Sequence, residues 1–366
     1  MSEAALLPVI RVQGSHREVG LQIGESCIAA VQAAVEFGPD SVPLEGRTIV
    51  EQLELAAEYR ALTAQRLPYL VEELDAVAEA ADVDPVRVFA ASIEEIWSSD
   101  ESDSEAAGGS AFGSERGRCT DLVAGPPATA GGAVFVAHNN DLDAKVEPGL
   151  TAIDWHVEGE PRMFTIGTGP WISVGWNSAG IVLSGNELAP NDNRIGIPRL
   201  LLVREQLRHR TIAEATGAAL HPDRASAYNT IFADRAGHVV NIEGSATDST
   251  ETTLSGAGTL VHTNHYVCES MLAYEDDHAY AQHSALRLRR GAALLDEAST
   301  DPGSITQDLL IGMLSDHENA PDSLCRHPIP GNSAKTVFWC VTEVTSGVIT
   351  FGRGNPCQSS PQVFDF

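Results

Sequence analysis

The stretch SSDESDSEAAGGSAFGSERGRCTDLVA, residues 98–124, divides the chain in two. Its first part, Ser98 to Arg118, is Ser, Gly and acid with almost no large apolar side chain, and such a segment reads as a flexible, exposed linker. At Cys119 the pattern changes. CTDLVA (119–124), GGAVFVAHNND (131–141), LTAIDWHV (150–157), PRMFTIGT (161–168) and GIVLSGNEL (180–188) are short β-rich runs separated by Gly and Pro, as antiparallel strands are. A sheet therefore starts at Cys119.

Before the linker, GSHREVGLQIGESCIAAVQAAVEF (14–37) and RTIVEQLELAAEYRALTAQRLPYLVEELDAVAEAA (47–81) carry apolar residues at mixed three and four spacing, the mark of helices. The first quarter reads as a helical unit. Beyond the first strands, IPRLLLVREQLRHR (197–210) and TIAEATGAAL (211–220) read as helices covering one face of the sheet, with Pro198 near one start and Thr211 as an N-cap. AYNTIFADRAGHVVNIEG and KTVFWCVTEVTSGVITFGRG read as hairpins turning at Asp234–Gly237 and Thr345–Gly347, and SALRLRRGAALLDEA and SITQDLLIGMLSDHE as two more helices. Strands and helices come in blocks, which favours an α+β layered sandwich over a doubly wound parallel sheet.

The 366 residues, 43% hydrophobic, suffice for a sizeable core. Lys+Arg number 23 against 51 Asp+Glu, a formal charge of −28 that repels nucleic acid and anionic lipid headgroups and argues against both as partners. The N-terminus, MSEAALLPVIRV, lacks the basic start and small-residue cleavage site of a secretory signal, and no apolar run reaches the ~18 residues of a membrane span. The expectation is a cytoplasmic protein without a membrane partner. The six cysteines are scattered with no C-x-x-C pair, so their spacing suggests neither a disulfide framework nor a zinc knuckle.

Cys119 stands where the linker stops and the strand starts. If the bond between Arg118 and Cys119 were broken, one residue would own a thiol and an α-amine of reference pKa ~7.7–8.0, a built-in general base. A buried, inert strand cysteine is the plainer alternative. Two other chemistries compete. His262 and His265 in HTNH, Asp316 with His317, and His278 with His283 offer ligands for a metal-dependent amidohydrolase, but H-x-x-H on a strand and turn points its imidazoles apart and no H-E-x-x-H occurs. Ser178 in GWNSAG misses the G-x-S-x-G elbow because Trp176 stands where glycine belongs. A non-enzymatic small-molecule binding protein is the remaining alternative.

RVQGSHREVGLQIGE, RCT (118–120), HNND (138–141), GWNSAGIVLSGNEL, NTIFADRAGHVVNIEG, VHTNHYV, LSDHENAPDSLCRHP, KTVFWCVTEV and FGRGNPC occur in that order over nearly the whole chain. Together they resemble the acyl-CoA:6-aminopenicillanic acid acyltransferase family of cysteine N-terminal nucleophile hydrolases. The resemblance implies a four-layer αββα sandwich of two antiparallel sheets with an N-terminal helical segment. It implies a precursor, a zymogen, that cleaves itself between Arg118 and Cys119 into a small subunit (1–118) and a catalytic one (119–366) that stay associated. Members often have glycine before the cysteine; here Arg118 stands there, and Gly117 would supply the freedom an N-to-S acyl shift needs. Cys119 matches the nucleophile, and Asp141, expected in a turn ending the second strand, an acid organising the α-amine and substrate. Asn264 matches an oxyanion donor, and Arg326 a residue that orients a substrate carboxylate or assists self-cleavage. The implied substrate is a small-molecule amide or an acyl-CoA-type thioester, with no cofactor and no metal required, and hydrolysis and acyl transfer stay equally open.

Overall fold

The computed structural model describes residues 6–37, 48–96, 118–276 and 278–366. The linker expected over 98–118 falls, as far as Gly117, outside the described residues, and so does Trp97. The strands are β1 (Val9–Gly14), β2 (Arg118–Ala124), β3 (Phe135–Asp143), β4 (Leu150–Val157), β5 (Met163–Thr168), β6 (Trp171–Asn177), β7 (Val182–Asn186), β8 (Asn229–Ala233), β9 (Val239–Gly244), β10 (Ser249–Thr252), β11 (Thr259–His262), β12 (Ala334–Glu343), β13 (Val348–Arg353) and β14 (Gln362–Asp365). The helices are α1 (His16–Ser26), α2 (Ile28–Phe37), α3 (Ile49–Arg66), α4 (Pro68–Ala81), α5 (Pro85–Ala90), α6 (Arg199–Leu207), α7 (Ile212–Ala219), α8 (His278–Ser299) and α9 (Gln307–Leu314).

Two sheets result: one of eight strands in the order β1-β4-β5-β6-β7-β8-β9-β10, one of six in the order β11-β2-β3-β12-β13-β14. Strand alternation then fixes the layers. On β4, Leu150 and Ala152 point into the core between the sheets, while Ile153 and Trp155 meet the helices of the first half of the chain on the opposite face. On β2, Val123 points inward and Leu122 and Ala124 pack outward in a cluster with Leu295 of α8 and Leu310 and Leu314 of α9. The order of layers is helix, sheet, sheet, helix, the sandwich that the block pattern and the resemblance both imply.

Two expectations need correcting. The first quarter is not helical throughout, because VIRVQG at residues 9–14 forms β1 and pairs with β4 from Val9↔Ala152 to Gly14↔Val157. That pairing is parallel, so the eight-stranded sheet is antiparallel in every pair but its first. Val12 is fully buried and joins the helix-side core, which explains why a short strand with exposed neighbours stays docked. Secondly, Asp141 does not lie in a turn: β3 runs on to Asp143, and Asp141 pairs with Arg118 on one side and Thr336 on the other.

The helices over the eight-stranded sheet are fixed by local signals and by close packing. Ser15, Thr48 and Thr211 each close a capping box with Glu18, Glu51 and Glu214, satisfying amides that would otherwise lack acceptors. Helix α1 lies directly on α4 because Gly20 and Gly24, four residues apart and so on one face, present no side chain: a Cβ on Gly20 would meet the Glu73 carbonyl oxygen at 2.3 Å. Among these helices, Arg204 of α6 holds the buried Glu73 (2.8 Å) and Glu160 (2.7 Å). Arg199, at the start of α6, holds Glu94 and Glu187 at 3.1 and 3.0 Å, joining the segment just before the linker to the residue after β7.

Candidate active site

The same alternation sets the faces of β2 and β3. Cys119 and Asp121 share the inter-sheet face with Val123, and His138 and Asn140 share it with Val136. Cross-strand pairing brings Cys119 opposite Asn140 and Asp121 opposite His138, so CTD and HNN deliver four polar side chains to one buried strip. The Asn140 amide nitrogen lies 3.7 Å from the Cys119 sulfur and 3.4 Å from Nε2 of His138, whose Nδ1 lies 3.1 Å from Asp121. Ser184, from β7 of the facing sheet, donates to the same Asp121 oxygen. Thr120 and Asn139 point the other way, and Asn139 donates to the carbonyls of Leu314 and Leu324, both at 2.8 Å.

Cys119 is held at both ends of its backbone. Its N–H donates to Oδ1 of Asn264 at 2.7 Å, and its carbonyl accepts from Nη1 of Arg287 at 2.5 Å. Arg287 also donates to Thr120 Oγ1 (3.0 Å) and, through Nη2, to Asn264 Oδ1 (2.9 Å). Donors on one side and the Glu187 carbonyl on the other fix the amide orientation of Asn264: its oxygen must face Cys119 and Arg287, and its nitrogen donates to Glu187 at 3.1 Å. Asn264 thus acts first as an acceptor that grips the nitrogen of Cys119. It is itself placed by α8, whose Ser284 hydroxyl takes its backbone N–H at 2.7 Å.

Asp141 and Arg326 are joined to each other through Thr336. The Thr336 hydroxyl donates to Asp141 Oδ1 at 2.6 Å and accepts the backbone N–H of Arg326 at 3.0 Å, while the Arg326 carbonyl accepts from Asn355 at 2.6 Å. Arg326 is buried. Cys119 and Asn264, far apart in sequence, therefore share one hydrogen-bonded network with Arg287, Asn140, His138 and Asp121, which the sequence reading did not select, whereas Asp141 and Arg326 are joined to each other through Thr336 and Asp141 acts on the Cys119 thiol through its charge. A full-length cationic side chain facing inward from α8 was the available signal: SALRLRRG puts Arg287 on the stripe of Ser284 and Gly291, the face toward the sheet.

Burial raises the pKa of the Cys119 thiol well above that of a free cysteine; Asp121 and Asp141 raise it further and Arg287 opposes them. A neutral thiol in this setting needs a base in contact with it to become a nucleophile. The metal alternative built on His262 and His265 finds no such convergence. His262 is taken by Glu243 at 3.0 Å and the Thr263 carbonyl at 2.6 Å, and His265 by Ser284 at 2.8 Å. Desolvation, with His262 and Arg287 adding, pushes the His265 imidazole down to about 4. Among the described residues neither histidine belongs to a group of three or more converging ligand atoms, and the His278 side chain lies outside them.

Among the described residues no helix is long and apolar enough to cross a membrane. The sequence pattern of the acyl-coenzyme A:6-aminopenicillanic acid acyl-transferase family matches residues 128–358, a stretch that contains Asp141, Asn264 and Arg326 and begins after Cys119. No curated protein matches the chain. Solved structures similar to it include a Caenorhabditis elegans N-acylethanolamine-hydrolyzing acid amidase ortholog, at 16% identity over 62% of this chain and 93% of that one, TM-score 0.42. A single-residue variant of the conjugated bile acid hydrolase of Clostridium perfringens shares 12% identity over 68% and 97%, TM-score 0.46. The penicillin V acylase of Agrobacterium tumefaciens shares 12% over 68% and 86%, TM-score 0.39. At these scores the likenesses assign no activity to this chain.

Proposed function

The chain belongs to the acyl-coenzyme A:6-aminopenicillanic acid acyl-transferase family, and from that premise we propose that it is a self-processing cysteine amidohydrolase or acyltransferase. Its acyl donor is a small-molecule amide or thioester, and its intermediate is a thioester on Cys119. One observation carries the reading: the nitrogen and carbonyl of Cys119 are each gripped by a buried side chain, Asn264 and Arg287, while an amide from Asn140 stands by its sulfur. A structural cysteine needs none of these contacts.

In processing, the Cys119 thiol attacks the carbonyl carbon of Arg118, and the C–N bond breaks as the thiol proton passes to the departing nitrogen, leaving an Arg118 thioester and a free α-amine. Water hydrolyses the thioester, giving the Arg118 carboxylate and regenerating the thiol. In turnover the α-amine, held by Oδ1 of Asn264, takes the thiol proton as sulfur attacks the acyl carbonyl, then delivers it to the departing amine or thiol. Water or an acceptor amine next attacks the acyl thioester with the same amine as base. Asn264 has a second amide hydrogen beyond the one given to Glu187, and that hydrogen is its contribution to the oxyanion. Asp141, tied to Arg326 through Thr336, acts on the thiol through its charge. The two fragments stay together because β1 is a strand of the large sheet and α1 to α5 share its core.

The test is the intact mass of purified protein. Wild type should yield fragments ending at Arg118 and starting at Cys119, Cys119→Ala should remain full length and inactive, and amide substrates should leave an acyl adduct on Cys119. An uncleaved wild type that still turned over amides would remove the α-amine from the mechanism.

A further inference from the structure

Away from Cys119, four side chains from three separate stretches converge. His317 follows α9, Cys325 and His327 flank Arg326, and Cys357 follows β13. Their ligand atoms all lie within 4.8 Å of one another. Nε2 of His317 is 3.0 Å from Nε2 of His327, and that nitrogen is 3.6 Å from Sγ of Cys325 and 3.4 Å from Sγ of Cys357. The two sulfurs are 3.6 Å apart.

We propose that His317, Cys325, His327 and Cys357 form a structural zinc site that pins the Arg326 segment to the end of β13. Thiolate sulfur at ~2.3 Å and imidazole nitrogen at ~2.0–2.1 Å from a tetrahedral zinc ion imply edges of ~3.8 Å for S–S, ~3.5 Å for N–S and ~3.3 Å for N–N. The four separations given above follow that set within a few tenths of an ångström, and the remaining two, from His317 to the sulfurs, stay within 4.8 Å. A Cys325–Cys357 disulfide would explain the sulfurs and leave unexplained why two imidazoles turn their Nε2 atoms onto them. A histidine–histidine hydrogen bond would explain the nitrogens and leave out the sulfurs. Two thiolates and two neutral imidazoles suit zinc over the harder, oxygen-seeking cations, and binding releases the two thiol protons to solvent. Four protein ligands close the coordination shell, which makes the role structural.

The surroundings fit a thiolate and reach as far as Asp141 on β3. Asn355 donates to Cys325 Sγ at 3.5 Å and to the Arg326 carbonyl at 2.6 Å, so the same amide supports a ligand and the residue after it. Arg326 in turn is tied through Thr336 to Asp141. His317 and Cys357 are exposed, which gives the ion a way in. No spacing rule reveals the group, because Cys357 lies 32 residues from Cys325.

Full-length protein purified without chelator and dialysed against excess zinc and then buffer should hold about one zinc per chain by emission spectroscopy. His317→Ala and Cys357→Ser, both at exposed ligands, should each lower that to well under half. Cobalt-loaded wild type should show the visible bands of a tetrahedral cobalt thiolate, and Cys357→Ser should lose them. A strong chelator should lower the melting temperature of wild type, and zinc should restore it; this arm needs no variant and stands if the variants fold poorly. The proposal is overturned if wild type retains no zinc, if Cys357→Ser retains as much as wild type, or if unreduced peptide mapping finds a Cys325–Cys357 disulfide. None of these readouts depends on amidase activity or on cleavage at Arg118.

Discussion

Replacing Arg287 tests the part of the site that sequence reading is least able to foresee. Among the described residues its guanidinium bonds, in a dry environment, to the Cys119 carbonyl at 2.5 Å, the Thr120 hydroxyl at 3.0 Å and Asn264 Oδ1 at 2.9 Å. Arg287→Met keeps much of the apolar stem and removes all three. Hydrogen bonds from a charged donor contribute about 1.5–3 kcal/mol each, and Thr120 can find another partner by rotating, so two lost bonds amount to roughly 3–6 kcal/mol. That sum divides between folding and function. The part that loosens the Cys119 carbonyl and Asn264 lets the scissile nitrogen wander, and about 2 kcal/mol of it would slow self-cleavage roughly 30-fold. The charge has a separate signature. Because Arg287 lowers the thiol pKa against the pull of burial and two aspartates, the alkylation of Cys119 by iodoacetamide should shift to higher pH in Arg287→Met. Arg287→Lys should keep most of that pH dependence and still process slowly, since one ammonium cannot span the acceptors of a planar fork. Mass spectrometry read over time gives cleavage, and alkylation rate against pH gives the thiol. Normal processing together with an unmoved alkylation profile in Arg287→Met would show that the contacts are packing only, whatever the melting temperature did.

Asn264→Ala removes the acceptor of the Cys119 nitrogen and should cut kcat about 10²–10³-fold with a smaller change in KM; a lower melting temperature with near-normal kcat would leave Asn264 a purely structural role. Gly20→Ala should destabilise by about 1–3 kcal/mol, because its Cβ would press on the Glu73 carbonyl at 2.3 Å and on Ala76 at 2.7 Å. Gly217→Ala, in α7 with nothing within 4 Å of the new atom, should stabilise by up to about 1 kcal/mol; equal melting shifts at the two glycines would contradict the packing described. Glu95 is pushed up to about 7 by burial, with Glu94 adding and Arg199 opposing. A carboxyl that holds its proton more tightly when folded makes the chain lose stability as pH rises from 4.5 to 7, so Glu95→Gln should gain stability over wild type across that window, by at most roughly 3 kcal/mol and read as a rise in melting temperature, and show no pH-dependent gain below it.

What the sequence made legible were features whose cause is local. Turn chemistry at Asp234–Gly237 and Thr345–Gly347 produces the β8–β9 and β12–β13 hairpins because Gly237 and Gly347 take φ of +88° and +79°, which side chains rarely adopt. Thr211 starts α7 because a hydroxyl three residues before Glu214 caps it in any context. β1 escaped notice because VIRVQG is a single short edge run whose reason for being a strand is the distant β4, and edge pairing leaves no periodic signal of its own. Asp141 looked like a turn residue because Asn-Asn-Asp is turn composition; pairing on both sides and burial of the strip overrode that preference.

The site divides in the same way. Cys119 could be located because the composition breaks there, whereas its partners are chosen by sheet register. A slip of one residue between β2 and β3 would turn Asn140 away from the thiol and bring Asn139 inward, although HNND would read the same. Register here depends on contacts spread over the fold: Val123 and Val136 seal the inner core, Leu122 and Ala137 seat α8 and α9, and Asn139 is locked by two carbonyls from that outer layer. Arg287 is one step further removed, since its role requires α8 to dock on β2 before the guanidinium can reach Cys119. The grip on Cys119 is thus a product of the four-layer packing, and under the proposed mechanism a core change such as Leu122→Ala, on the face of β2 opposite the thiol, should slow processing as well as destabilise the chain.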